Sequence, residues 1–399
     1  MLKEKMNILI HMGDQYPNET PCAKRMRAFY DVFTAEGHTV KVLAPRISDE
    51  KHENVFYCPT PPLKKKTTIY RLLNSAGLAV TSFFVAMRTG KADVVITTSP
   101  PPLISFSGWA IARMKGAKLV YDVRDIWPDV ALEMGSFSPD SIYCKCFRFI
   151  RDFMLKHSDL VTAVSPGKVD KLQNYCPTTP VVHIPNGLDE KFLDNQEFLE
   201  TVKKYFADDV FTCVYVGNLG LAQGLRQLLD VAQKAKEDSI PARFILFGSG
   251  AEEKLLRDTA EAQGLDNVVF AGRLPNAEMY TILRHAQMSF VSLVNENLKD
   301  SVPTKMYEAL GVGCPVLLAA VGDAADILND CELGIAVRPN DSGALWHAFL
   351  KMYETYGNIA SHKEHAQQVI LEKHSRQKAA LLLEKELYKL CNIEETVRG

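Results

Sequence analysis

The chain has 399 residues, of which 47% are hydrophobic and 24% are charged, and its formal net charge is −2 at pH 7. One hydrophobic core usually supports no more than about 250–300 residues, so we expect two domains. A charge close to zero, without a basic or acidic tail, argues against nucleic acid as a partner.

The cysteines and the N-terminal residues bear on the cellular compartment. The sequence has nine cysteines and no C-x-x-C pair, and its first residues, MLKEKMNILIHMGD, are too polar for a secretory signal peptide. Both observations favour a reducing, cytoplasmic environment with free thiols. Because the sequence contains no Asp-x-Asp pair and no His-Glu-x-x-His motif, we expect neither a metal site nor another cofactor.

Apolar segments rich in β-branched residues alternate with helical patterns along the chain. In the first half we predict strands at NILIHM, TVKVLAP, VVITTSP, KLVYDVRD and LVTAVSP. In the second half we predict helices at 223–236, 252–263 and 277–287, and strands at FTCVYVGN, RFILFGSG, VVFAGR, MSFVSLV, PVLLAA and IAVRP. The strand segments are continuously apolar, as expected where helices cover both faces of a sheet. Both sheets should therefore be parallel.

The alternation stops near residues 189–209, where the sequence is polar and lacks strand patterns. We therefore predict an α/β protein with two Rossmann-like, doubly wound domains, at residues 1–190 and 191–375. The C-terminal part is helical, and its last segment, 376–399, could pack back on the N-terminal domain. Ligands of such sheets bind outside the carboxyl ends of the strands, so the loops that follow the strands are the candidates for chemistry.

Residues 71–88, RLLNSAGLAVTSFFVAMR, form a mostly apolar segment that follows three lysines at 64–66. Polar residues interrupt the segment, and it is too short for a typical transmembrane helix. Two interpretations remain open. The segment is either a half-buried helix of the domain or a helix that lies in the plane of a membrane, with its basic flank on anionic lipid.

Two glycine-rich turns follow predicted strands of the second domain. One contains Gly217, Asn218 and Gly220, with Gln223 at the start of the next helix, and the other is 248–250, Gly-Ser-Gly. Glycines permit tight turns, and the start of a helix offers free amides and the positive end of a dipole, so a phosphate could bind there. Equally, the glycines could serve the turns alone.

The stretch DSVPTKMYEALGVGCPVLLA, at 300–319, places two acids and a lysine just before a buried strand. We predict a helix that begins near residue 302, with Ser301 as its N-cap and Pro303 in its first turn. Lys305 and Glu308 would then share one face. A carboxylate there can bind the vicinal diol of a ribose, and a lysine can bind a diphosphate. The alternative is an ordinary surface Lys-Glu pair.

The order of these motifs resembles the retaining, nucleotide-sugar-dependent glycosyltransferases of family 4. Their GT-B fold has two Rossmann-like domains that face each other across a cleft. The family's acid-x7-acid element corresponds to Asp300 and Glu308, and HIPNGLDEKF, VTAVSPG and EGHTVKVLA match further family segments. Within the family, GNLGLAQGL, PTKMYEALG and VRDIWPD look like the branch that builds bacterial capsule, O-antigen and related surface polysaccharides.

The resemblance implies a donor site in the second domain. Glu308 would hold the ribose hydroxyls, and the backbone at 273–274 would border the base. Many family members have an arginine and a lysine where this chain has Asn218 and Gln223. The diphosphate should therefore be held by Lys305 and by amides near Gly217 and Gly220. The expected donor-binding residues are Gly217, Asn218, Gly220, Gln223, Gly248, Gly250, Arg273, Leu274, Val302, Pro303, Thr304, Lys305 and Glu308.

The first domain should bind the acceptor. By the resemblance, polar side chains of VRDIWPD lie beside the transferred sugar, so we expect Arg124 and Asp125 to be catalytic. We expect the same of Asp300, the first acid of the acid-x7-acid element. The loop after the first strand and the same VRDIWPD loop should supply the acceptor-binding residues, which we expect to be Asp14, Glu19, Arg25 and Trp127.

The resemblance implies that a sugar, such as an N-acetylated amino sugar, moves from a UDP-sugar to a lipid-diphosphate-linked glycan, without a metal. The enzyme would work in the cytoplasm at the inner face of the membrane, where residues 64–88 could contact anionic lipid. Two alternatives remain. One is a UDP-sugar 2-epimerase of the same fold, and the other is a non-catalytic protein that binds nucleotide sugars.

Overall fold

The structure is a computed structural model that describes residues 4–46, 52–61, 68–193, 200–206 and 210–393. The chain divides into two compact units. The N-terminal unit comprises Met1–Asn186 and Arg376–Gly399, and the C-terminal unit comprises Gly187–Ser375. The lysines at 64–66 lie outside the described residues.

The N-terminal unit is built on a parallel sheet of seven strands. The strands are β1 (Asn7–His11), β2 (Thr39–Pro45), β3 (Val55–Cys58), β4 (Val94–Ser99), β5 (Lys118–Val123), β6 (Leu160–Ala163) and β7 (Val181–His183). Their order across the sheet is β3-β2-β1-β4-β5-β6-β7. The chain runs outward from β1 to one edge and then returns to β4, so the carboxyl ends of β1 and β4 form the switch point at which such sheets bind ligands.

Helices cover both faces of this sheet. They are α1 (Pro21–Ala35), α2 (Thr68–Ala86), α3 (Leu103–Lys115), α4 (Asp129–Glu133), α5 (Ile142–His157), α6 (Pro166–Tyr175) and the C-terminal α16 (Arg376–Leu390). One core cluster joins the sheet to α1 and α16, and a second joins its other face to α2, α3 and α5. Thr20 and Ser165 accept hydrogen bonds from amides of the first turns of α1 and α6, each just before a proline, which explains where these helices begin.

Helix α16 returns from the end of the C-terminal unit to pack on α1. Leu383 and Leu387 lie in the same core cluster as Phe29. A buried contact of 2.9 Å joins Nε2 of His38 to the carboxylate of Glu384. The final helix is therefore part of the N-terminal unit.

Helix α2 includes most of the apolar segment 71–88. Leu78 and Ala86 are buried in the core, whereas Leu73, Val80 and Phe84 are more than half exposed. Among the described residues, no helix is long and apolar enough to cross a bilayer. The segment is thus a half-buried helix of the unit that also presents large apolar side chains to its surroundings.

The C-terminal unit is built on a parallel sheet of six strands, in the order β10-β9-β8-β11-β12-β13. The strands are β8 (Phe211–Val216), β9 (Ala242–Phe247), β10 (Val268–Gly272), β11 (Met288–Ser292), β12 (Val316–Ala319) and β13 (Gly334–Val337). The helices are α7 (Glu200–Lys203), α8 (Arg226–Glu237), α9 (Glu253–Ala262), α10 (Asn276–His285), α11 (Thr304–Gly311), α12 (Asp323–Cys331), α13 (Ser342–Glu354), α14 (Tyr356–Ala360) and α15 (Lys363–Lys373). The switch point lies at the carboxyl ends of β8 and β11.

The predicted class, an α/β protein with two doubly wound parallel sheets, is confirmed, and all eleven predicted strands are present. Two strands were not predicted, β3 and β7. They lie at the two opposite edges of the N-terminal sheet, where their residues are mostly half-buried, so the fully buried apolar pattern of the inner strands is missing.

Candidate functional site

The two glycine-rich turns of the C-terminal unit lie against each other. The amide of Gly217 donates to the carbonyl of Phe247 at 2.9 Å, and the amide of Leu219 donates to the carbonyl of Ser249 at 3.0 Å. Gly248 has φ +140°, and a Cβ there would lie 1.7 Å from the carbonyl oxygen of Gly217. The amide of Gly217 is therefore engaged within the protein, and it is not one of the free amides near Gly217 and Gly220 that we expect to hold a diphosphate.

The second turn closes on the first in the same way. A Cβ at Gly250 would lie 2.2 Å from the carbonyl oxygen of Leu219, and that oxygen accepts from the amide of Glu252 at 2.9 Å. At Gly220, a Cβ would lie 2.4 Å from the side-chain nitrogen of Asn218. Contact between the two turns thus accounts for Gly248 and Gly250, whereas Gly220 is confined by Asn218 of its own turn. None of these glycines by itself indicates a bound phosphate.

Lys305 lies beside these turns. Its Nζ donates to the hydroxyl of Tyr215 at 2.6 Å and to Oε1 of Gln223, and it lies 4.2 Å from the centre of the Tyr215 ring. A Cβ at Gly217 would lie 3.3 Å from Cε of Lys305. Burial of the amine lowers the pKa of Lys305 to about 7, although Glu308 acts to raise it. The arrangement holds a titratable cation next to the first glycine turn.

Asn218 and Gln223 belong to the first glycine turn and the short helical turn that follows it. The carbonyl of Asn218 accepts from the hydroxyl of Tyr215 at 2.6 Å. The amide of Gln223 donates to the carbonyl of Gly220 at 3.0 Å, and the carbonyl of Gln223 accepts from the hydroxyl of Ser292 at the end of β11. Both residues therefore fix the turn at the switch point, and the side chain of Gln223 also orients Lys305.

Helix α11 begins later than predicted. Its N-cap is Pro303, with φ −63° and ψ 126°, and no side chain caps it. The predicted role of Ser301 as N-cap is wrong, because the extended backbone at Pro303 delays the first turn to Thr304, and the hydroxyl of Ser301 donates instead to Asp300 at 3.4 Å. Val302 and Thr304 are half-buried on either side of the cap. The first turn of α11 therefore begins at Thr304, directly after an extended residue, Pro303.

Both acids of the acid-x7-acid element are buried. Asp300 is 8% exposed and Glu308 is 6% exposed, the first just before α11 and the second within it. Glu308 lies three residues after Lys305 on the same helix, close enough to act on the charge of its amine. The structure thus places Glu308 close to Lys305, and Lys305 in turn contacts the glycine turn.

Arg273 and Leu274 directly follow β10. Arg273 is exposed, and its Nε donates to the hydroxyl of Ser249 at 2.5 Å. The amide of Gly248 donates to the carbonyl of Gly272 at 2.7 Å, so the end of β10 is tied to the second glycine turn. Leu274 is half-buried next to it. These residues therefore border the same edge of the sheet as the glycine turns.

Arg25 has a different position from the one we predicted on the acceptor side. It is buried, and its Nη2 forms an ion pair of 2.8 Å with Asp122 at the end of β5. Its Nη1 donates to the carbonyl of Pro185 at 2.8 Å. Asp122 also accepts from the hydroxyls of Thr98, at 2.9 Å, and Thr162, at 2.7 Å. Because it is enclosed in this network, Arg25 has a structural role.

Arg124 contacts this network through Thr98. Its Nε donates to the hydroxyl of Thr98 at 3.1 Å, and its Nη2 donates to the carbonyl of Pro100 at 2.7 Å. The carboxylates of Asp125 and Asp14 both lie near enough to favour its charge. Within the described residues, the carboxylate of half-buried Asp125 has no hydrogen-bond partner. The switch point of this sheet therefore combines an oriented guanidinium with an available carboxylate.

Asp14 and Glu19 lie in the loop between β1 and α1. Asp14 is half-buried, and its carboxylate accepts from the amide of Gln15 at 2.8 Å and from the hydroxyl of Thr20. Glu19 is exposed and lies 3.5 Å from Arg27. Asp14 therefore belongs to the switch point, whereas Glu19 lies at the surface.

Trp127 lies in an aromatic cluster. Its ring centroid is 6.3 Å from that of Tyr143 and 6.2 Å from that of Phe147. Among the described residues, its buried indole nitrogen has no hydrogen-bond partner.

The sequence analysis did not single out two residues that organise these sites, Tyr215 and Asp122. Both lie inside strands, so the neighbouring sequence gives no sign of their roles. The roles become visible only through contacts with residues that are distant in the sequence.

Two family models match successive parts of the chain. "Glycosyltransferase Family 4" matches residues 24–192, and "Glycosyl transferases group 1" matches residues 198–369. A protein of Escherichia coli (strain K12) that is named as a colanic acid biosynthesis glycosyl transferase, WcaI, is 24% identical over 85% of this chain and 90% of its own length. The O-antigen chain mannosyltransferase C of Escherichia coli is 27% identical over 52% of this chain and 55% of its own length.

Solved structures share the architecture. Sucrose-phosphate synthase from Thermosynechococcus elongatus superposes with a TM-score of 0.80 at 16% identity, over 97% of this chain and 99% of that one. HepE from Anabaena, solved in complex with UDP and glucose, superposes with a TM-score of 0.74 at 16% identity, over 96% of this chain and 100% of that one. These likenesses establish the fold. The two family matches, which together cover most of the chain, show that it is a glycosyltransferase of family 4, and the solved structures show that its fold is GT-B.

Proposed function

We propose that this glycosyltransferase moves a sugar from a UDP-sugar to a lipid-diphosphate-linked glycan in the synthesis of a bacterial surface polysaccharide. The observation that carries the donor assignment is the position of Lys305 against the glycine turn after β8, with Glu308 on the same helix. The names of the relatives, which refer to colanic acid and O-antigen, support the pathway class. The UDP bound by HepE supports the nucleotide.

In this proposal the donor lies at the switch point of the C-terminal sheet. Lys305 and the amino end of α11 face its diphosphate, and the carboxylate of Glu308 accepts hydrogen bonds from the ribose hydroxyls. The base lies along Arg273 and Leu274, beside the second glycine turn. Because Lys305 and the helix supply positive charge, we propose that binding requires no metal.

The transfer step retains the configuration at the anomeric carbon. The bond from that carbon to the diphosphate oxygen breaks, the bond to the acceptor oxygen forms on the same face, and the acceptor's proton passes to the departing diphosphate. The protein then has two tasks: to position the reactants and to stabilise charge on the diphosphate. Arg124 and Asp125 are the groups that we assign beside the transferred sugar, since one is oriented by Thr98 and the other has an available carboxylate.

A lipid-linked acceptor requires contact with a membrane, and one face of the N-terminal unit has the charge and the exposed apolar side chains that such contact needs. Helices α2, α3 and α5 carry one, two and three basic residues that are at least partly accessible, since the fourth of α5, Arg151, is buried against Asp129. The three helices contain a single acidic residue, Asp152. Of the twelve exposed large hydrophobic residues in the described part of the chain, seven lie on these helices or in the turn after α2: Leu73, Val80, Phe84, Met87, Met114, Ile142 and Phe149. We propose that this basic and apolar face lies on anionic lipid at the cytoplasmic side of the membrane.

A vesicle sedimentation assay tests the membrane contact. The protein should sediment with phosphatidylglycerol vesicles and not with phosphatidylcholine vesicles, and L73S and F84S should each reduce the bound fraction. L382S is the matched control, because Leu382 is also exposed but lies on α16. If the protein binds neither kind of vesicle, or if L382S reduces binding as much as F84S, the proposed face is wrong.

A thermal-shift panel of UDP, GDP, ADP, CMP and several UDP-sugars, with and without EDTA, tests the donor. A ligand at 100 times its dissociation constant should stabilise the protein by about 2.7 kcal/mol. A shift that is selective for UDP and persists in EDTA supports the proposal. A thermal shift for GDP alone would indicate a GDP-sugar as the donor. A shift that requires Mn²⁺ would contradict metal independence. If no nucleotide shifts the melting temperature, the proposed donor site is wrong.

Product analysis then separates transfer from the alternatives. A glycosidic bond to the acceptor supports the transferase, whereas a free epimerised sugar would indicate the 2-epimerase and no product would indicate a binding protein. The family matches and the named relatives are all glycosyltransferases, and they favour neither alternative.

A further inference from the structure

A groove of the N-terminal unit lies between the segment 59–61, which follows β3, and residues 73–81 of helix α2. We call it the α2 groove. Its volume is about 540 Å³, and the surface that lines it is apolar. Leu73 and Val80 line it and are more than half exposed. A recess of this size is large enough for a small molecule or for part of a larger one.

Two carbonyls along the α2 groove are hydrogen-bonded within the protein. Nδ2 of Asn74 donates to the carbonyl of Pro61 at 2.6 Å, and the hydroxyl of Thr81 donates to the carbonyl of Pro59 at 2.7 Å. Both prolines also lack an amide hydrogen. The polar residues that interrupt the apolar sequence of α2 thus occupy the polar backbone groups of the segment. Such a surface suits a hydrocarbon, because a polar ligand would lose hydrogen bonds to water there without replacing them.

The two walls of the α2 groove are in direct contact at Gly77. A Cβ at this position would lie 2.5 Å from Cδ of Pro61, so only a glycine lets the helix and the segment pack this closely. The groove is therefore a recess with a closed floor. The exposed side chains of Leu73 and Val80 lie along it on the helix.

The α2 groove begins at the edge of the sheet that carries the switch point. The segment 59–61 starts at the carboxyl end of β3, where it contacts Thr81, and it reaches Asn74 two residues later. Seven positions of a helix span about 10 Å, so the groove extends about this far from the end of β3 toward the amino end of α2. All strands of this sheet are parallel, and Asp14 and Arg124 follow the carboxyl ends of β1 and β5 at the same edge.

The charge of α2 favours an anionic headgroup next to the α2 groove. Arg71 is exposed and lies two positions before Leu73, and the sequence of α2 contains no acidic residue. A phosphate or diphosphate attached to a hydrocarbon chain would be attracted to such a helix. The groove and the charge together match a lipid phosphate better than they match an uncharged ligand.

We propose that the α2 groove holds the hydrocarbon chain of the lipid that carries the acceptor glycan. This inference rests on the proposed function, in which the acceptor is linked to a lipid through a diphosphate. The chain is that of the acceptor rather than that of a bilayer phospholipid, because the groove begins at the edge of the sheet where the acceptor's sugar has to reach Arg124 and Asp125. The enzyme thus binds its acceptor through the lipid as well as through the sugar.

Photolabelling of the full-length protein tests the occupant of the α2 groove. The probe is farnesol, a prenyl alcohol, with a diazirine in its chain. It is used without vesicles and with saturating UDP, so that the donor site is already occupied. Mass spectrometry of the irradiated protein locates the label. We expect saturable labelling within 59–61 and 73–81, and unlabelled farnesyl diphosphate should prevent it.

A76W fills the α2 groove without removing apolar surface. Ala76 lines the groove and is exposed, so the larger ring should fit at the surface and reduce labelling about tenfold or more. Sedimentation with phosphatidylglycerol vesicles should not fall, because the ring adds apolar surface to the helix. L382W is the matched control, since it adds the same ring at an exposed position of α16, and its labelling should equal that of the wild type. If A76W does not fold, V80W replaces it, with the same expected loss of labelling.

Two soluble competitors identify the source of the chain. Farnesyl diphosphate should prevent labelling at a concentration about tenfold or more below that of dihexanoyl phosphatidylglycerol, because its diphosphate carries more charge toward Arg71. If the phospholipid competes equally well, the α2 groove takes the chain of a bilayer lipid, and the assignment to the acceptor's lipid is wrong.

The outcomes separate this inference from the proposed function. If the label is absent from the α2 groove, or if A76W is labelled as strongly as the wild type, the inference is wrong, whereas UDP binding and vesicle sedimentation are decided by their own tests. If the groove is unlabelled and the protein is a dimer that A76W dissociates in analytical ultracentrifugation, a second copy of the chain covers the groove and the inference is wrong. If the groove is labelled but no nucleotide binds, the groove holds a prenyl chain and the donor site is wrong.

Discussion

Arg25 and Asp122 form an ion pair of 2.8 Å in which both side chains are shielded from solvent, at 2% and 0% exposure. Asp122 also accepts from the hydroxyl of Thr98, which in turn accepts from Arg124. Burial acts to raise the pKa of Asp122, but the Arg25 charge and the hydrogen bonds prevail and hold it below its usual value. A buried pair thus holds the guanidinium that we assign to catalysis.

Removal of one partner should therefore be costly. R25M leaves the Asp122 carboxylate buried and unpaired, and we expect a loss of about 3–5 kcal/mol in the free energy of unfolding. The matched control is R27M, two residues away on the same helix, where the exposed contact with Glu19 at 3.5 Å should contribute less than about 1 kcal/mol. Urea denaturation measures both. Equal losses would contradict the structural role of Arg25.

The contact between the glycine turns predicts a strong effect of G248A. The new Cβ would lie 1.7 Å from the carbonyl oxygen of Gly217, and the backbone at Gly248 has φ +140°. The turns must separate, so we expect a loss of more than about 2 kcal/mol of stability, together with the loss of UDP binding.

G264A is the matched control for G248A. Gly264 also has positive φ, +61°, but no atom lies within 4 Å of the added Cβ. Only backbone strain of about 1 kcal/mol should follow, with UDP binding unchanged. Melting temperatures and UDP titrations give both quantities. The proposed contact is wrong if G248A binds UDP as well as G264A does.

The elements could be predicted from the sequence because their signals are local. The eleven predicted strands are continuous apolar segments, and the spacing of Lys305 and Glu308 placed them on one helix, as observed. The start of that helix was predicted wrongly. The backbone at Pro303 is extended, which the sequence permits as readily as a helical first turn.

The partners of the site residues could not be predicted because they are distant in the sequence. Lys305 and Tyr215 are separated by 90 positions, and Arg25 and Asp122 by 97. Arg25 follows a strand-end loop, as a ligand-binding residue would, and only the sheet order shows that it meets Asp122. The steric reason for Gly248 and Gly250 likewise lies in the first glycine turn, about 30 positions earlier in the sequence, which no local pattern contains.

The proposed ribose contact predicts that Glu308 recognises the ribose hydroxyls of the nucleotide. In E308Q a neutral amide oxygen replaces the carboxylate and accepts weaker hydrogen bonds from the ribose hydroxyls. We expect the dissociation constant of UDP to rise about tenfold or more, with a matching fall in turnover. E354Q, at an exposed position of α13, is the control and should change neither quantity.

A deoxygenated ligand makes the test of Glu308 specific. The wild-type protein should bind UDP more tightly than 2′,3′-dideoxy-UDP, and E308Q should lose most of this preference, because the variant no longer distinguishes the hydroxyls. Titration of both ligands into both proteins gives the comparison. A preference that survives in E308Q would remove this residue from the ribose site.

The amine of Lys305 also predicts how stability depends on pH. Its pKa in the folded protein is about 7, against 10.5 for an ordinary lysine, so between these values the unfolded chain binds the additional proton. The free energy of unfolding should therefore rise with pH across this window and be lowest, as far as this group is concerned, below pH 7. The slope is at most about 1.4 kcal/mol per pH unit, and solvent around the half-buried side chain reduces it.

Urea denaturation from pH 7 to pH 10, in wild type, K305M and K351M, isolates this contribution. K305M should lack the rise that the wild type shows, whereas K351M, at an exposed position of α13, should keep it. Saturating UDP should also remove the rise in the wild type, since the bound diphosphate keeps the amine protonated at higher pH. Identical slopes in wild type and K305M would mean that the amine of Lys305 has an ordinary pKa, and that the diphosphate meets a permanent cation.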